Sequence, residues 1–177
     1  MKKLIIILVI TFTSVGLIMW FAISQDNKNA PYKAGNNSQK LDPVGQVFEN
    51  QGQTHIKVGE SHPPYNSNPG TSGWHYARPA DWGIYDKPLV DEQAVHNLEH
   101  GGTWISYKDV DGETKANLEK IAKANSGSVI MSPRDADDSK IVLASWTRLE
   151  KLDSYDEAKI LDFISRNKNK SPEPLAR

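Results

Sequence analysis

The pattern of apolar and polar positions begins with one long apolar run near the N-terminus. Residues 4–23 are almost unbrokenly apolar, which is long enough for a helix to cross a bilayer. Lys2 and Lys3 precede the run and polar residues follow it, so we predict an uncleaved signal anchor whose N-terminus is cytoplasmic. A cleaved signal peptide is the rival interpretation, but residues 21–25 make a poor cleavage site.

The rest of the chain divides by composition. After a cytoplasmic tip (1–3) and the anchor (4–23), residues 24–43 are polar and aperiodic and predict a flexible linker. Residues 44–166 are predicted to form one extracytoplasmic domain, and residues 167–177 a disordered tail. The expected location is therefore the cell membrane, with a single pass and the C-terminal domain outside.

Within the domain, the apolar spacing alternates between that of strands and that of helices. Three short apolar runs are typical of buried strands: 103–108, 128–132 and 141–147. Three segments have helical spacing: 91–100, 113–125 and 154–166. Ser154 and Glu157 form a capping box at the start of the last one. This order predicts an α+β domain with a small, mainly antiparallel sheet and two or three helices on one face.

A long segment, 59–88, is too rich in proline and glycine for a long helix or strand. Its aromatic residues argue against disorder, because aromatic side chains bury large areas. They are Trp74, Tyr76, Trp82 and Tyr85. We therefore predict an ordered loop that wraps the domain and brings His75 to the helix at 91–100.

All five histidines lie between residues 55 and 100, which makes this part of the chain the place to look for chemistry. On the helix at 91–100, one face is apolar, and the other carries four polar residues: Glu92, His96, Glu99 and His100. Two imidazoles at positions i and i+4 are a bidentate arrangement for a transition metal.

The predicted metal ligands are His75, His96 and His100, with Met131 as a further candidate. The chain has no cysteine, so any metal must be held by imidazole, carboxylate or thioether groups. A thioether in an exported, thiol-free setting favours copper, and zinc is the alternative. Glu99, Glu92 and Tyr85 are expected to hydrogen-bond to the ligands and orient them.

Two neighbouring patterns receive less weight. His55 alternates against the apolar residues of a weak strand, so we interpret it as an exposed histidine and not as a ligand. The residues from His96 to His100 match the H-x-x-E-H order of one class of zinc peptidase, with Glu99 as the base. No histidine follows His100 to complete such a site, and the domain is small for a peptidase.

Three pieces of sequence together resemble a known family. They are Thr71-Ser-Gly-Trp-His75, Gly83-Ile-Tyr85 and Val95-His-Asn-Leu-Glu-His-Gly101. Their combination is similar to the bacterial and archaeal domain of unknown function 3105, whose members often follow an N-terminal membrane segment. The resemblance is good over 59–107 and implies site residues at His75, His96 and His100, with Glu99 inside the same motif. It implies no activity.

The sequence therefore predicts a membrane-anchored domain that binds a transition metal for capture, delivery or sensing. One alternative is a metal-dependent hydrolase or redox enzyme that uses Glu99. Another is a structural interaction domain whose histidines form a hydrogen-bond network. No basic stripe indicates nucleic acid, and the part of the chain after the anchor is mildly acidic. A membrane or exported protein partner is left open.

Overall fold

The computed structural model describes residues 42–176. The predicted cytoplasmic tip, the transmembrane anchor and nearly all of the linker lie outside the described residues. No helix within 42–176 combines the length and apolar character needed to cross a bilayer.

A mixed sheet of six strands forms the centre of the described region. Its strands are β1 (Gln46–Val47), β4 (Gly83–Ile84), β5 (Thr103–Tyr107), β6 (Val129–Pro133), β7 (Ile141–Ser145) and β8 (Arg148–Leu152). Their order across the sheet is β1-β8-β7-β5-β6-β4. The pairings β1–β8, β8–β7 and β7–β5 are antiparallel, whereas β6 pairs in parallel with both β5 and β4. The predicted mainly antiparallel sheet is thus confirmed.

Two further strands pair apart from this sheet. They are β2 (His55–Ile56) and β3 (His75–Tyr76), which run parallel to each other. Only two residues of each strand are paired, so a few backbone hydrogen bonds fix their register. One of these bonds runs from the amide of His75 to the carbonyl of Thr54 at 3.0 Å. This short ladder positions two of the five histidines.

Three helices complete the described fold: α1 (Asp91–Glu99), α2 (Gly112–Ala124) and α3 (Glu157–Asn167). Asp111 caps α2 by accepting from the amide of Thr114. The predicted capping box at Ser154 is wrong, because Asp156 caps α3 by accepting from the amide of Lys159. An aspartate side chain accepts such a bond as readily as serine, and it stands next to the first helical residue.

The helices cover both faces of the sheet, and the prediction that they share one face is wrong. Along β5, Trp104 faces α1 and the proline-rich loop, whereas Ile105 faces α2 and α3. All five β5 residues are buried, since successive side chains point to opposite faces and both faces are covered. The continuous apolar character of these strands indicates this two-sided burial.

The strand β8 was not predicted. It follows Thr147, whose positive φ of 58° lets the chain reverse into a tight hairpin with β7. Its residues Arg148–Leu152 are mostly polar, and only Leu149 and Leu152 are buried. A strand this polar gives a weak periodic signal.

The C-terminal segment, predicted to be a disordered tail over 167–177, instead packs on the end of α1. The amide of Glu173 donates to the carbonyl of Glu99 at 3.1 Å, and the amide of Ala176 donates to the carbonyl of His100 at 2.9 Å. The last carbonyls of a helix have no partner within the helix. The tail supplies the missing donors, and this is why it does not fray.

Candidate metal centre

The parallel pair β2–β3 places His55 and His75 side by side. Their Cα atoms are partners in the register, so both side chains leave the ladder on the same face. The ring centroids are 4.8 Å apart in an edge-to-face arrangement. His75 is fully buried, whereas the side chain of His55 is 46% exposed.

Helix α1 supplies two more groups to the same point. His96 and Glu99 are three residues apart and therefore lie on one helix face. The ring of His96 stacks on that of His55, with centroids 4.9 Å apart, and lies 5.0 Å from that of His75. His96 and Glu99 are buried, so the site is closed on the side of the helix.

The possible ligand atoms of these four residues converge. The Oε2 atom of Glu99 lies 3.0 Å from Nε2 of His75, 3.5 Å from Nε2 of His55 and 4.0 Å from Nε2 of His96. One ligand atom from each residue lies within 4.8 Å of every other. Ligands of a tetrahedral ion with bonds of about 2.0–2.1 Å are roughly 3.3 Å apart. The cluster is thus close to the size that such an ion requires.

Two backbone carbonyls determine which ring nitrogens face the centre as acceptors. The carbonyl of Gly73 lies 2.7 Å from Nδ1 of His75, and the carbonyl of Tyr76 lies 2.6 Å from Nδ1 of His96. A carbonyl oxygen only accepts, so each Nδ1 carries a proton and donates it. In the neutral rings, Nε2 then carries a lone pair that points into the cluster. Metal-binding histidines commonly have such a partner at the other ring nitrogen.

Glu99 is a buried carboxylate at the centre of this group, with a side chain only 1% exposed. Burial raises its pKa, but the hydrogen bond from Gln53 and the neighbouring His75 outweigh burial, so its pKa is lowered overall. Gln53 donates to Oε1 of Glu99 at 2.8 Å and leaves Oε2 facing the imidazoles. Within residues 42–176, the ion-pair partners of Glu99 are all imidazoles. A buried anion with no Lys or Arg beside it favours a bound cation.

The proline-rich loop is fixed to α1 by paired hydrogen bonds. The side chain of Asn97 accepts from the amide of Ala80 and donates to its carbonyl, both at 2.9 Å. Ser72, in the middle of the loop, accepts from the amide of Gln51, which ties the loop to the chain before β2. These bonds hold the ladder that carries His55 and His75 against the helix.

The predicted meeting of His75 with His96 is confirmed, whereas His100 lies to one side. Its Nε2 atom is 3.1 Å from Nε2 of His96 and 3.5 Å from Oε2 of Glu173. His100 therefore belongs to a second group with Glu99 and Glu173, whose ligand atoms also lie within 4.8 Å of one another. Whether any of these histidines binds metal stays a prediction.

The other predicted site residues lie away from the cluster. Met131 is fully buried on β6 in the core between the sheet and α2 and α3, so its sulfur is surrounded by apolar side chains. Glu92 lies 3.3 Å from Nε2 of His62, and Tyr85 donates its hydroxyl to the carbonyl of Asp81. In the structure these three side chains therefore neither coordinate nor orient the four residues of the cluster.

His55 is the cluster residue that the sequence reasoning set aside. Its side chain is 46% exposed, as expected, but this exposure does not keep it out of the cluster. A two-residue parallel pairing across 20 positions leaves no periodic signal. The clustering of all five histidines between residues 55 and 100 was the one sequence feature that pointed to His55.

Comparison with known protein families identifies one match. A family model described as Protein of unknown function (DUF3105) matches residues 55–177. The chain belongs to this family. All four residues of the cluster lie inside the DUF3105 region, and so does the C-terminal segment that packs on α1. The chain matches no curated protein and no solved structure.

Proposed function

We propose that this DUF3105 domain binds one divalent transition-metal ion through His55, His75, His96 and Glu99. The observation that carries the proposal is the convergence of three Nε2 atoms on Oε2 of one buried carboxylate. Two of the rings are held by carbonyls in the tautomer that offers the lone pair. Three imidazoles and one carboxylate complete a four-coordinate site of the kind that zinc and copper accept.

Copper remains the favoured ion and zinc the alternative. The placement of Met131 in the core removes the thioether argument for Cu(I). For imidazole and carboxylate ligands, Cu²⁺ lies at the top of the affinity order of divalent ions, above Zn²⁺. We therefore propose Cu²⁺, bound outside the cytoplasm, if the apolar run at 4–23 anchors the chain as its sequence indicates.

The exposure of the ligands supports a role in capture, delivery or sensing. The side chains of His75, His96 and Glu99 are no more than 5% exposed, whereas that of His55 is 46% exposed. Water or a ligand from another molecule can therefore replace His55 first. An ion that can change one ligand in this way can be transferred, whereas one enclosed on all sides cannot.

The competing function is a structural domain whose histidines form only a hydrogen-bond network. With Nδ1 protonated, His75 can donate to Glu99 only if its ring is a cation. The same condition applies to His96, but burial lowers the pKa of its ring and disfavours the cation. A metal ion at the centre satisfies the carboxylate and the lone pairs of His75 and His96 without that cost.

Titration of metal-free protein with Cu²⁺ and Zn²⁺ in a calorimeter tests the proposal. We expect the first, tight equivalent to be present in the wild type and absent from the double variant His75→Gln/His96→Gln. A melting temperature that rises on metal addition is also expected, because a ligand at 100 times its Kd stabilises by about 2.7 kcal/mol. Wild-type protein that binds neither ion, with an unchanged melting temperature, would favour the hydrogen-bond network.

A further inference from the structure

We infer a second cation position, formed by Glu99, His100 and Glu173, directly outside the first. This inference rests on the proposed function, because the two positions share Glu99. Ligand atoms of the three residues lie within 4.8 Å of one another. One imidazole and two carboxylates suit a divalent cation such as Zn²⁺.

The contact between His96 and His100 links the two positions. Their Nε2 atoms are 3.1 Å apart, and the proton on Nδ1 of His96 is held by the carbonyl of Tyr76. In metal-free protein, His100 can donate its Nε2 proton to His96. An ion in the first position takes up the lone pair of His96 and removes that acceptor. His100 is then free to place its own proton on Nδ1 and to bind a second ion through Nε2.

The C-terminal segment places Glu173 for this purpose. Its amide donates to the carbonyl of Glu99, and the amides of Leu175 and Ala176 both donate to the carbonyl of His100. Glu173 stands between Pro172 and Pro174, which restrict the backbone on either side. Its Oε2 atom lies 3.5 Å from Nε2 of His100. The backbone of Glu173 is thus fixed over the end of α1, which places its carboxylate within reach of His100.

Exposure differs between the two positions. The side chains of His100 and Glu173 are 20% and 51% exposed, whereas those of His75 and His96 are at most 5% exposed. The outer position therefore retains water and binds more weakly. Carboxylates shared between two ions are found in two-metal sites whose ions lie about 3.5–4 Å apart. Glu99 is placed to act in this way.

Zinc titration of the metal-free, full-length chain in detergent tests the inference, because zinc brings no redox chemistry. We expect two equivalents in the wild type, with the second bound at least tenfold more weakly, about 1.4 kcal/mol. Glu173→Gln should abolish the second equivalent and leave the affinity of the first unchanged within about threefold. The matched control is Glu92→Gln, since Glu92 lies 3.3 Å from Nε2 of His62 and belongs to neither ligand group found among residues 42–176. This control should still bind two equivalents.

The outcomes separate the two proposals. A single equivalent in both wild type and Glu173→Gln overturns the second position and leaves the proposed function intact. Two equivalents in both also overturn it, because the second ion would then lie elsewhere. If His100→Ala weakens the first equivalent while Glu173→Gln does not, His100 binds the inner ion and the inference fails. No binding in the wild type contradicts the proposed function itself.

Discussion

Replacing His55 with alanine distinguishes the proposed ligand set, which includes His55, from the set predicted from the sequence, which does not. The side chain is 46% exposed, and its Nε2 atom lies 3.5 Å from Oε2 of Glu99. The backbone pairing of β2 does not depend on the ring. We therefore expect the free energy of unfolding of metal-free His55→Ala protein to stay within about 0.5 kcal/mol of the wild type.

The expected loss of metal affinity is much larger. Four-ligand zinc sites in small domains bind with about 10–16 kcal/mol, or roughly 3 kcal/mol for each ligand. Because His55 is partly exposed, water can take its place and recover some of that energy. A loss of about 2–3 kcal/mol remains, which corresponds to a roughly 30- to 150-fold increase in Kd.

Competition against a chromophoric chelator at fixed pH measures this change. His62→Ala is the matched control, because His62 is also close to a glutamate but lies outside the four-residue cluster. The control should keep the wild-type affinity. If folded His55→Ala protein binds the first ion within about threefold of the wild type, the assignment of His55 as a ligand is refuted.

Three further predictions concern stability. In the folded protein, burial lowers the pKa of His96, and the pKa of Glu99 is lowered overall. As the pH falls, the unfolded chain therefore binds more protons than the folded chain does, and the folded state loses stability. Urea denaturation of metal-free protein should therefore give the full free energy of unfolding above about pH 6.5. Below that pH, protonation of His96 in the unfolded chain should lower this free energy, and below about pH 4.5 protonation of Glu99 should lower it further. Gly102→Ala should cost about 1–3 kcal/mol, because the new Cβ would overlap the ring of Trp82. Arg134→Met should cost about 3–5 kcal/mol, because it leaves a buried carboxylate unpaired.

Each of these has a matched comparison. The predicted pH dependence is contradicted if the free energy of unfolding of metal-free protein does not change between about pH 7.5 and about pH 4. Gly112→Ala is the control for the glycine, since no atom of the described part of the chain lies within 4 Å of its new Cβ, and it should be neutral or stabilising. Lys151→Ala breaks only the half-exposed pair with Asp138 and should cost at most about 1 kcal/mol. If Arg134→Met costs no more than that, the ion pairs of Arg134 do not stabilise the fold.

The elements with a strong local signal could be predicted from the sequence. The strands β5, β6 and β7 are continuous apolar runs, and α1 ends where Gly101 adopts a φ of +83°. The same local signals indicated that the aromatic-rich loop is ordered and carries His75 to the helix. The DUF3105 resemblance pointed to this region for the same reason, since its motif is the loop together with the helix.

What could not be predicted depends on contacts between distant parts of the chain. His55 joins the site only through its register with His75, and the C-terminal segment is ordered only because α1 leaves carbonyls unpaired. The turn after β6 is rich in aspartate, which is typical of a solvated turn, yet Asp137 is buried there and accepts from Arg134 at 2.6 Å. Nothing near Asp137 in the sequence indicates that Arg134 also reaches Asp91 on α1.

The spacing of His96 and His100 shows a limit of helical reasoning. Residues at i and i+4 share a face, and so do residues at i and i+3. The helix alone does not decide which of the two pairs meets a third group. Here the loop approaches on the side of Glu99, so His96 and Glu99 complete the cluster, while His100 turns to Glu173.

X-ray absorption at the metal edge, on protein loaded with one equivalent of Cu²⁺ or Zn²⁺, tests the ligand set most directly. Our account predicts three imidazole nitrogens and one carboxylate oxygen at about 2.0–2.2 Å, with no sulfur neighbour. A sulfur scatterer, or a shell of oxygen with fewer than two imidazoles, would contradict it.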